Sequence, residues 1–352
     1  MSNKVRLLIL GTGGMAANHA ESFAQIEGVE LVAGVDTRPA QLAEFCDRFA
    51  IAHRFSSVQD ALNWGEFDAV SNVTPDGAHF ATTMPILAAG KHILCEKPLA
   101  TTASEAQQMA DAAARAGVVN MVNLSYRNVP ALQQAAKLVT SGAIGPVRHF
   151  EASYLQSWLT QPAWGDWRSE SQWLWRLSSA HGSKGVLGDV GIHILDFATF
   201  VAGQSAASIS CQLKTFDKAI GGRIGDYVLD ANDSAVMQLT LADGGLGTVS
   251  ATRFATGHMN DLRLRIYGNL GGLDVRFENQ ISTLRACLGD DRLTAHWVDI
   301  DCPILPTIYE RFIAALRGEA AAEPTFARGA QLQRMLDGAE LSAAKNGLAQ
   351  IL

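Results

Sequence analysis

Several features that mark large protein classes are missing from this 352-residue chain. There is no basic excess: 28 Lys and Arg against 35 Asp and Glu leave a formal charge of −7. A nucleic-acid surface needs a basic patch or stripe, so no nucleic-acid partner is expected. The five cysteines, Cys46, Cys95, Cys211, Cys287 and Cys302, are odd in number, scattered and without CxxC spacing. They read as reduced thiols of a cytoplasmic protein, not as a disulfide framework. The histidines are dispersed and form no HExxH, so no metal is expected. Long apolar runs are absent as well. No stretch approaches the ~20 residues of a membrane span. The opening MSNKVRLLILGTGG breaks at Gly11, too early for a secretory signal. Repeats, low-complexity tracts and long linkers are also lacking.

What is present is 48% hydrophobic and 18% charged, enough apolar material for real cores. The length predicts two domains. Over the first third, short apolar bursts (5–10, 29–35, 67–73, 91–95 and 118–124) alternate with helix-like segments (14–27, 39–50, 57–64, 77–90 and 103–116). That alternation predicts a parallel sheet covered on both faces. After about residue 145 the texture changes. One strand (147–157), a Trp-rich stretch and one strong helix (188–203) precede runs of strand character at 207–217, 233–242, 246–255, 262–268, 272–277, 280–287 and 293–300. A mainly antiparallel open sheet is the economical reading. The expected fold class is therefore α/β: an N-terminal Rossmann dinucleotide-binding domain, 1–124, and a C-terminal α+β domain, 125–352. The helical tail, 306–347, is a candidate to pack back on the first domain.

Three groups of residues carry chemistry. The first strand runs into GTGGMA, a G-x-G-x-x-A turn with Gly11 for the tight bend, Gly13 for backbone approach to a pyrophosphate and Ala16 for close helix packing. The helix that follows offers unpaired N–H groups to phosphate. Asp36, 25 residues past Gly11 at the end of the second strand, suits a ribose 2′-hydroxyl and repels a 2′-phosphate. NAD is thereby favoured over NADP, although Arg38 nearby softens the preference. Thr12, Gly14, Met15 and Thr37 complete this expected cofactor contact set. Thr74, Pro75 and His79, in NVTPDGAH, fall outside the carboxyl end of a strand, where doubly wound sheets bind ligands. A second group lies on the strong helix. Asp189 and His193 are four apart and share a face, with Asp196 one turn on. The third group is aromatic: five of seven tryptophans, Trp158, Trp164, Trp167, Trp173 and Trp175, fall within 18 residues, with Arg176 following. Flat aromatic faces beside polar groups suit a carbohydrate ring. Packing within the protein or at an interface is the alternative for most of them.

The ordered set of the Gly-rich turn, TPDGAH, EKP (96–98), SYRNVPALQQAAKLVTSGAIGPV (125–147), GVLGDVGIHILD (185–196) and PTFARGAQLQRMLDGAELSAAKNG resembles the glucose–fructose oxidoreductase / inositol dehydrogenase (Gfo/Idh/MocA) family over nearly the whole length. The resemblance implies a Lys/Asp/His triad of Lys97, Asp189 and His193. It also implies a cis peptide before Pro98 that aims Lys97 into the cleft, with Glu96 holding that lysine and the neighbouring backbone. Trp175 and Arg176 match a Trp-Arg pair near the nicotinamide. Asn123, Tyr126 and Arg127 match a segment that contacts cofactor or substrate, and Trp164 is a candidate for the substrate. The implied activity is NAD(P)-dependent dehydrogenation of a secondary alcohol or hemiacetal carbon on a sugar or cyclic polyol. The implied assembly is a homodimer or homotetramer through the C-terminal sheet. An NAD-dependent glycosidase working by transient oxidation and elimination would use the same triad. A non-catalytic sugar or nucleotide sensor would be expected to lose it.

Overall fold

The structure, a computed structural model, describes residues 4–352; residues 1–3 of the expected first domain lie outside the described residues. The chain divides into two compact units, the first running up to Ser125 and adding Pro306–Gln333, the second comprising Tyr126–Leu305 and Arg334–Leu352.

In the first unit, β1 (Val5–Leu10), β2 (Val29–Val35), β3 (His53–Phe55), β4 (Ala69–Asn72), β5 (His92–Cys95) and β6 (Asn120–Val122) form an all-parallel sheet in the order β3-β2-β1-β4-β5-β6. The sheet reverses between β1 and β4, which places the Gly-rich turn and the ends of β4 and β5 at one carboxyl edge. Helices α1 (Gly14–Ala24), α2 (Pro39–Arg48), α3 (Val58–Trp64), α4 (His79–Ala88) and α5 (Ala103–Ala116) alternate with the strands. Local chemistry sets their ends. Ser57 and Thr102 cap α3 and α5 by accepting from the N–H groups of Asp60 and Glu105, and Gly65 and Gly117 close them in the left-handed conformation. The core packs Leu7, Ile9, Phe23, Phe45 and Leu94 against Ile308, Phe312 and Ile313 of the late helix Ile308–Leu316.

The second unit is built on a nine-stranded sheet. Its strands are β7 (Val147–Leu155), β8 (Ala206–Lys214), β11 (Ser234–Leu241), β12 (Leu246–Thr252), β13 (Asp261–Gly268), β14 (Gly271–Glu278), β15 (Ile281–Leu288), β16 (Val298–Asp299) and β17 (Gln350–Ile351), in the order β16-β15-β14-β13-β7-β12-β11-β8-β17. A separate hairpin pairs β9 (Arg223–Ile224) with β10 (Tyr227–Val228). The large sheet is antiparallel except where β12 pairs with β7 in parallel. Helix Ile192–Ala202 packs on β7, β12 and β13 with nearly every residue buried. The opposite face of β7, β13 and β14 is charged, with Arg263 on Asp274 (2.7 Å) and Arg265 on Glu151 (3.0 Å).

Two expectations need correcting. The run 293–300 is not one strand: a short helix, Asp291–Thr294, ends at Ala295 in the left-handed region, and only Val298–Asp299 pairs. Leu293, which makes the run look strand-like, is exposed. The helix expected over 188–203 is also not uniform. Leu187–Gly191 is a π turn, and the α-helix begins at Ile192. Glycines make room for the wide turn: a Cβ on Gly188 would stand 2.3 Å from Lys184 Cβ.

Candidate functional site

At the carboxyl edge of the first unit, the turn after β1 is shaped for close approach. Gly11 has φ +87°, and a Cβ there would lie 2.8 Å from the Val73 carbonyl oxygen, so the position accepts only glycine. A Cβ on Gly13 or Gly14 would meet nothing within 4 Å, so the turn is open on its outer side. Gly13 provides no side-chain cap to α1. These observations fit a dinucleotide pyrophosphate, which would take the first amides of α1. Ala16 is buried and Met15 exposed. Asp36 is buried, and its carboxylate accepts from Thr12 N (2.9 Å), Thr12 Oγ1 (2.8 Å) and Arg38 N, Nε and Nη2 (2.9, 3.0 and 3.0 Å). Burial opposes its charge, but the Arg38 and Thr12 donors hold it far below the usual carboxylate range. A ribose hydroxyl at Asp36 would share it with Arg38, whose side chain is largely exposed, as is Thr37.

The end of β5 is held by a network the sequence did not reveal. Glu96 Oε1 accepts from Asn123 Nδ2 (2.5 Å) and pairs with His19 Nε2 (2.9 Å), while His19 Nδ1 meets Ser71 Oγ (2.7 Å). Tyr309 packs edge-on against the fully buried His19 ring at 4.9 Å. Burial raises the Glu96 pKa, yet His19, Lys97 and Asn123 outweigh it and bring it down to about 2. The second oxygen of Glu96 accepts from the Lys97 N–H (3.1 Å), so the half-buried carboxylate fixes the backbone that carries the lysine. The Lys97–Pro98 peptide is cis. His79, expected to contact cofactor, is fully buried, its Nδ1 on the Pro98 carbonyl (2.8 Å) and its Nε2 on the Thr74 carbonyl (2.9 Å). It ties the two turns together instead of reaching outward. Burial disfavours its cation, but Cys95, Asp76 and the Pro98 carbonyl raise its pKa to about 10, in keeping with two acceptors facing two ring nitrogens. Thr74 is anchored on Asn72 Oδ1, and Pro75 is exposed.

In the second unit, Asp189 on the π turn accepts from Arg253 Nη2 (3.0 Å) and lies 3.9 Å from Arg176 Nε. Arg253 is completely buried beneath the Trp158 ring and also donates to the Arg176 carbonyl. Burial lowers its pKa, and the charge of Asp189 works against that. Nothing in the sequence singled out this arginine; its position at the end of β12 is a tertiary fact. His193 is 7% exposed, with Tyr126 edge-on to its ring at 4.9 Å. Tyr126 in turn reaches Tyr154 (2.6 Å). Arg127, expected to contact a ligand, is sealed from one: its fork is on Asp196 (2.6 and 2.8 Å), and it lies over Phe200. Any role at a ligand runs through that helix. Trp158 and Trp167 are buried in a cluster with Leu159, Leu174, Leu177 and Leu229, against which Trp164 and Trp173 are half-buried. Trp175 is exposed, and Arg176 stacks over it at 4.5 Å. Most of the tryptophans therefore make an internal core.

Among the described residues, His258, Asp261 and Glu278 bring potential metal ligands within 4.8 Å of one another. Arg276 already bridges that pair of acids (3.1 and 2.6 Å), so a guanidinium holds the place of a cation. No helix among the described residues is long and apolar enough to cross a membrane.

Comparison with known proteins agrees with this architecture. Residues 5–124 match the sequence model of the oxidoreductase family with an NAD-binding Rossmann fold, and residues 132–274 match the Gfo/Idh/MocA C-terminal domain. A levoglucosan dehydrogenase from Pseudarthrobacter phenanthrenivorans is 30% identical over 259 residues, 70% of this chain and 64% of the relative. The chain thus spans about two thirds of that relative's length. A crystal structure of an oxidoreductase domain protein from Kribbella flavida is 31% identical with a TM-score of 0.85, covering 100% of this chain and 99% of the other. A levoglucosan dehydrogenase structure in complex with NADH and levoglucosan gives 25% identity and a TM-score of 0.84, covering 99% of each chain. With the Gly-rich turn, the Glu96–Lys97–Pro98 corner and the Asp189 and His193 helix all in place, the chain belongs to the Gfo/Idh/MocA oxidoreductase family.

Proposed function

We propose that this protein is an NAD-dependent dehydrogenase that oxidises a secondary alcohol or hemiacetal carbon of a sugar or cyclic polyol. The observation that carries this reading is the Glu96 clamp. A half-buried carboxylate, held ionised, anchors the backbone of Lys97 at the same sheet edge as the open Gly-rich turn. Bound NAD would supply a nicotinamide ring that accepts the hydride from the alcohol carbon. The protein's part is to hold the alcohol and take its proton. The Lys97 ammonium stabilises negative charge developing on the reacting oxygen. His193 takes the hydroxyl proton, a task imidazole performs near neutral pH. Asp189, itself fixed by Arg253, orients the substrate hydroxyls and the imidazole. The relatives that act on anhydrosugars support a carbohydrate ligand. The same reading places a homodimer or homotetramer contact on the large sheet.

The test is a panel of monosaccharides, inositols and anhydrosugars, levoglucosan first, followed by the absorbance of reduced nicotinamide with NAD and separately with NADP. Turnover faster with NAD is expected. Lys97→Met and His193→Ala should each lower kcat by at least about 100-fold. Wild-type rates in both variants would end the proposal.

A further inference from the structure

We infer that Tyr126 offers its ligand a hydrogen-bond acceptor and never a donor, so that the group bound beside it must donate, which on a sugar or polyol means a hydroxyl. This inference rests on the dehydrogenase reading and adds a specificity rule to it. The direction is set at the far end of a buried chain, by Trp158. An indole N–H can only donate, and Trp158 Nε1 lies 3.2 Å from Gln156 Oε1. That contact fixes the Gln156 amide, oxygen toward the indole and nitrogen away. The Gln156 nitrogen then faces Asn260 at 2.8 Å, so the Asn260 atom it meets is the oxygen. Tyr154 Oη stands 2.6 Å from the same Asn260 oxygen. Two oxygens at that separation need a hydrogen between them, and the amide oxygen has none to give. The hydrogen belongs to Tyr154.

Tyr154 Oη is also 2.6 Å from Tyr126 Oη. With its own hydrogen spent on Asn260, Tyr154 accepts here and Tyr126 donates. Burial pushes both phenols above their ordinary values, so each keeps its hydrogen at neutral pH. Tyr154 is 2% exposed, Gln156 6% and Trp158 2%. Water is kept from these three side chains, while Asn260 at the end of the chain is half-buried and its oxygen still has no hydrogen to give. Tyr126, half-buried and edge-on to His193, is left with lone pairs only. A carbonyl, an ether oxygen or a fluorine placed there would oppose one acceptor to another. A hydroxyl donates and is held beside the imidazole. Tyr154, Gln156, Trp158 and Asn260 are in this account positioning residues for the specificity exerted by Tyr126.

Two measurements test it. The first is neutron diffraction from the deuterated, substrate-free protein. Nuclear density for the Tyr126 hydrogen should point to Tyr154, and that of Tyr154 to Asn260; the reverse direction would overturn the inference. The second is kcat/KM for the best substrate of the panel and its mono-deoxy and mono-deoxyfluoro analogues. At one ring position, fluorine should cost as much as hydrogen, at least about tenfold, because fluorine accepts but does not donate. Tyr126→Phe should abolish that discrimination, and Trp158→Phe, which releases the Gln156 amide, should weaken it. A fluoro analogue that retains full activity at every position where the deoxy analogue loses it would overturn the inference. If no sugar or polyol is turned over, the dehydrogenase reading fails, while the neutron map still decides the direction of the chain.

Discussion

Glu96 keeps its charge where burial works against it, and this makes one side chain answerable for the posture of Lys97. Its pKa in the fold, about 2, lies below the ordinary 4.5. The carboxylate therefore contributes stability in full above about pH 4.5 and loses it as the pH falls toward 2. Glu96→Gln should flatten that acid limb in chemical denaturation and lower kcat more than it raises KM. His19→Ala should do the same through Glu96, and a variant with an unchanged acid limb would show the clamp to be inert. His79 works in the opposite sense. Raised to about 10 from 6.5, it stabilises fully below pH 6.5, and that contribution is lost as the pH climbs through 10. Gly11→Ala sets a Cβ against the Val73 carbonyl in a left-handed backbone, and calorimetry with NAD should show binding lost. Gly11 was legible in the sequence because its signal is local, a turn motif, whereas Lys97 was singled out only by what the family resemblance implies. His19 was not, because it lies 77 residues from its partner Glu96 and nothing in NHAES distinguishes a helix histidine that faces a carboxylate from one that packs.

Elements show the same division. The strands and helices of the first unit follow from apolar bursts bounded by glycine and capping residues, and Thr102 caps α5 as its type predicts. The helix that carries His193 was legible as apolar and helical, but the π turn before it was not, since a one-residue widening leaves no trace in a periodicity. The glycines were the only hint. Gly188→Ala should force Lys184 aside and move Asp189 off Arg253. The predicted result is a loss of activity with a smaller loss of stability, read by kinetics beside thermal unfolding. The Arg127–Asp196 pair is buried on both sides, so Asp196→Ala leaves an uncompensated guanidinium and should cost about 3–5 kcal/mol in denaturant titration. A cost below about 1 kcal/mol would show that Arg127 finds another partner. Strand 293–300 was misread because hydrophobic residues in an exposed edge segment mimic a buried one.

For the whole molecule, the compact units divide between Ser125 and Tyr126, and the first also takes in Pro306–Gln333. A linear pattern cannot show that Phe312 fills the core beside Phe23, because that proximity exists only after folding. The tryptophans illustrate the limit at this scale. Composition located them, but only the structure shows that they pack as a cluster and that Trp158, within it, also donates to Gln156. The central claim is that Lys97 and His193 serve one alcohol oxygen. It is tested most directly by a crystal structure with NAD and the best sugar of the panel. The account predicts Lys97 Nζ and a His193 ring nitrogen each within about 3.2 Å of the same substrate oxygen. A sugar bound with that oxygen beyond reach of either side chain would contradict it.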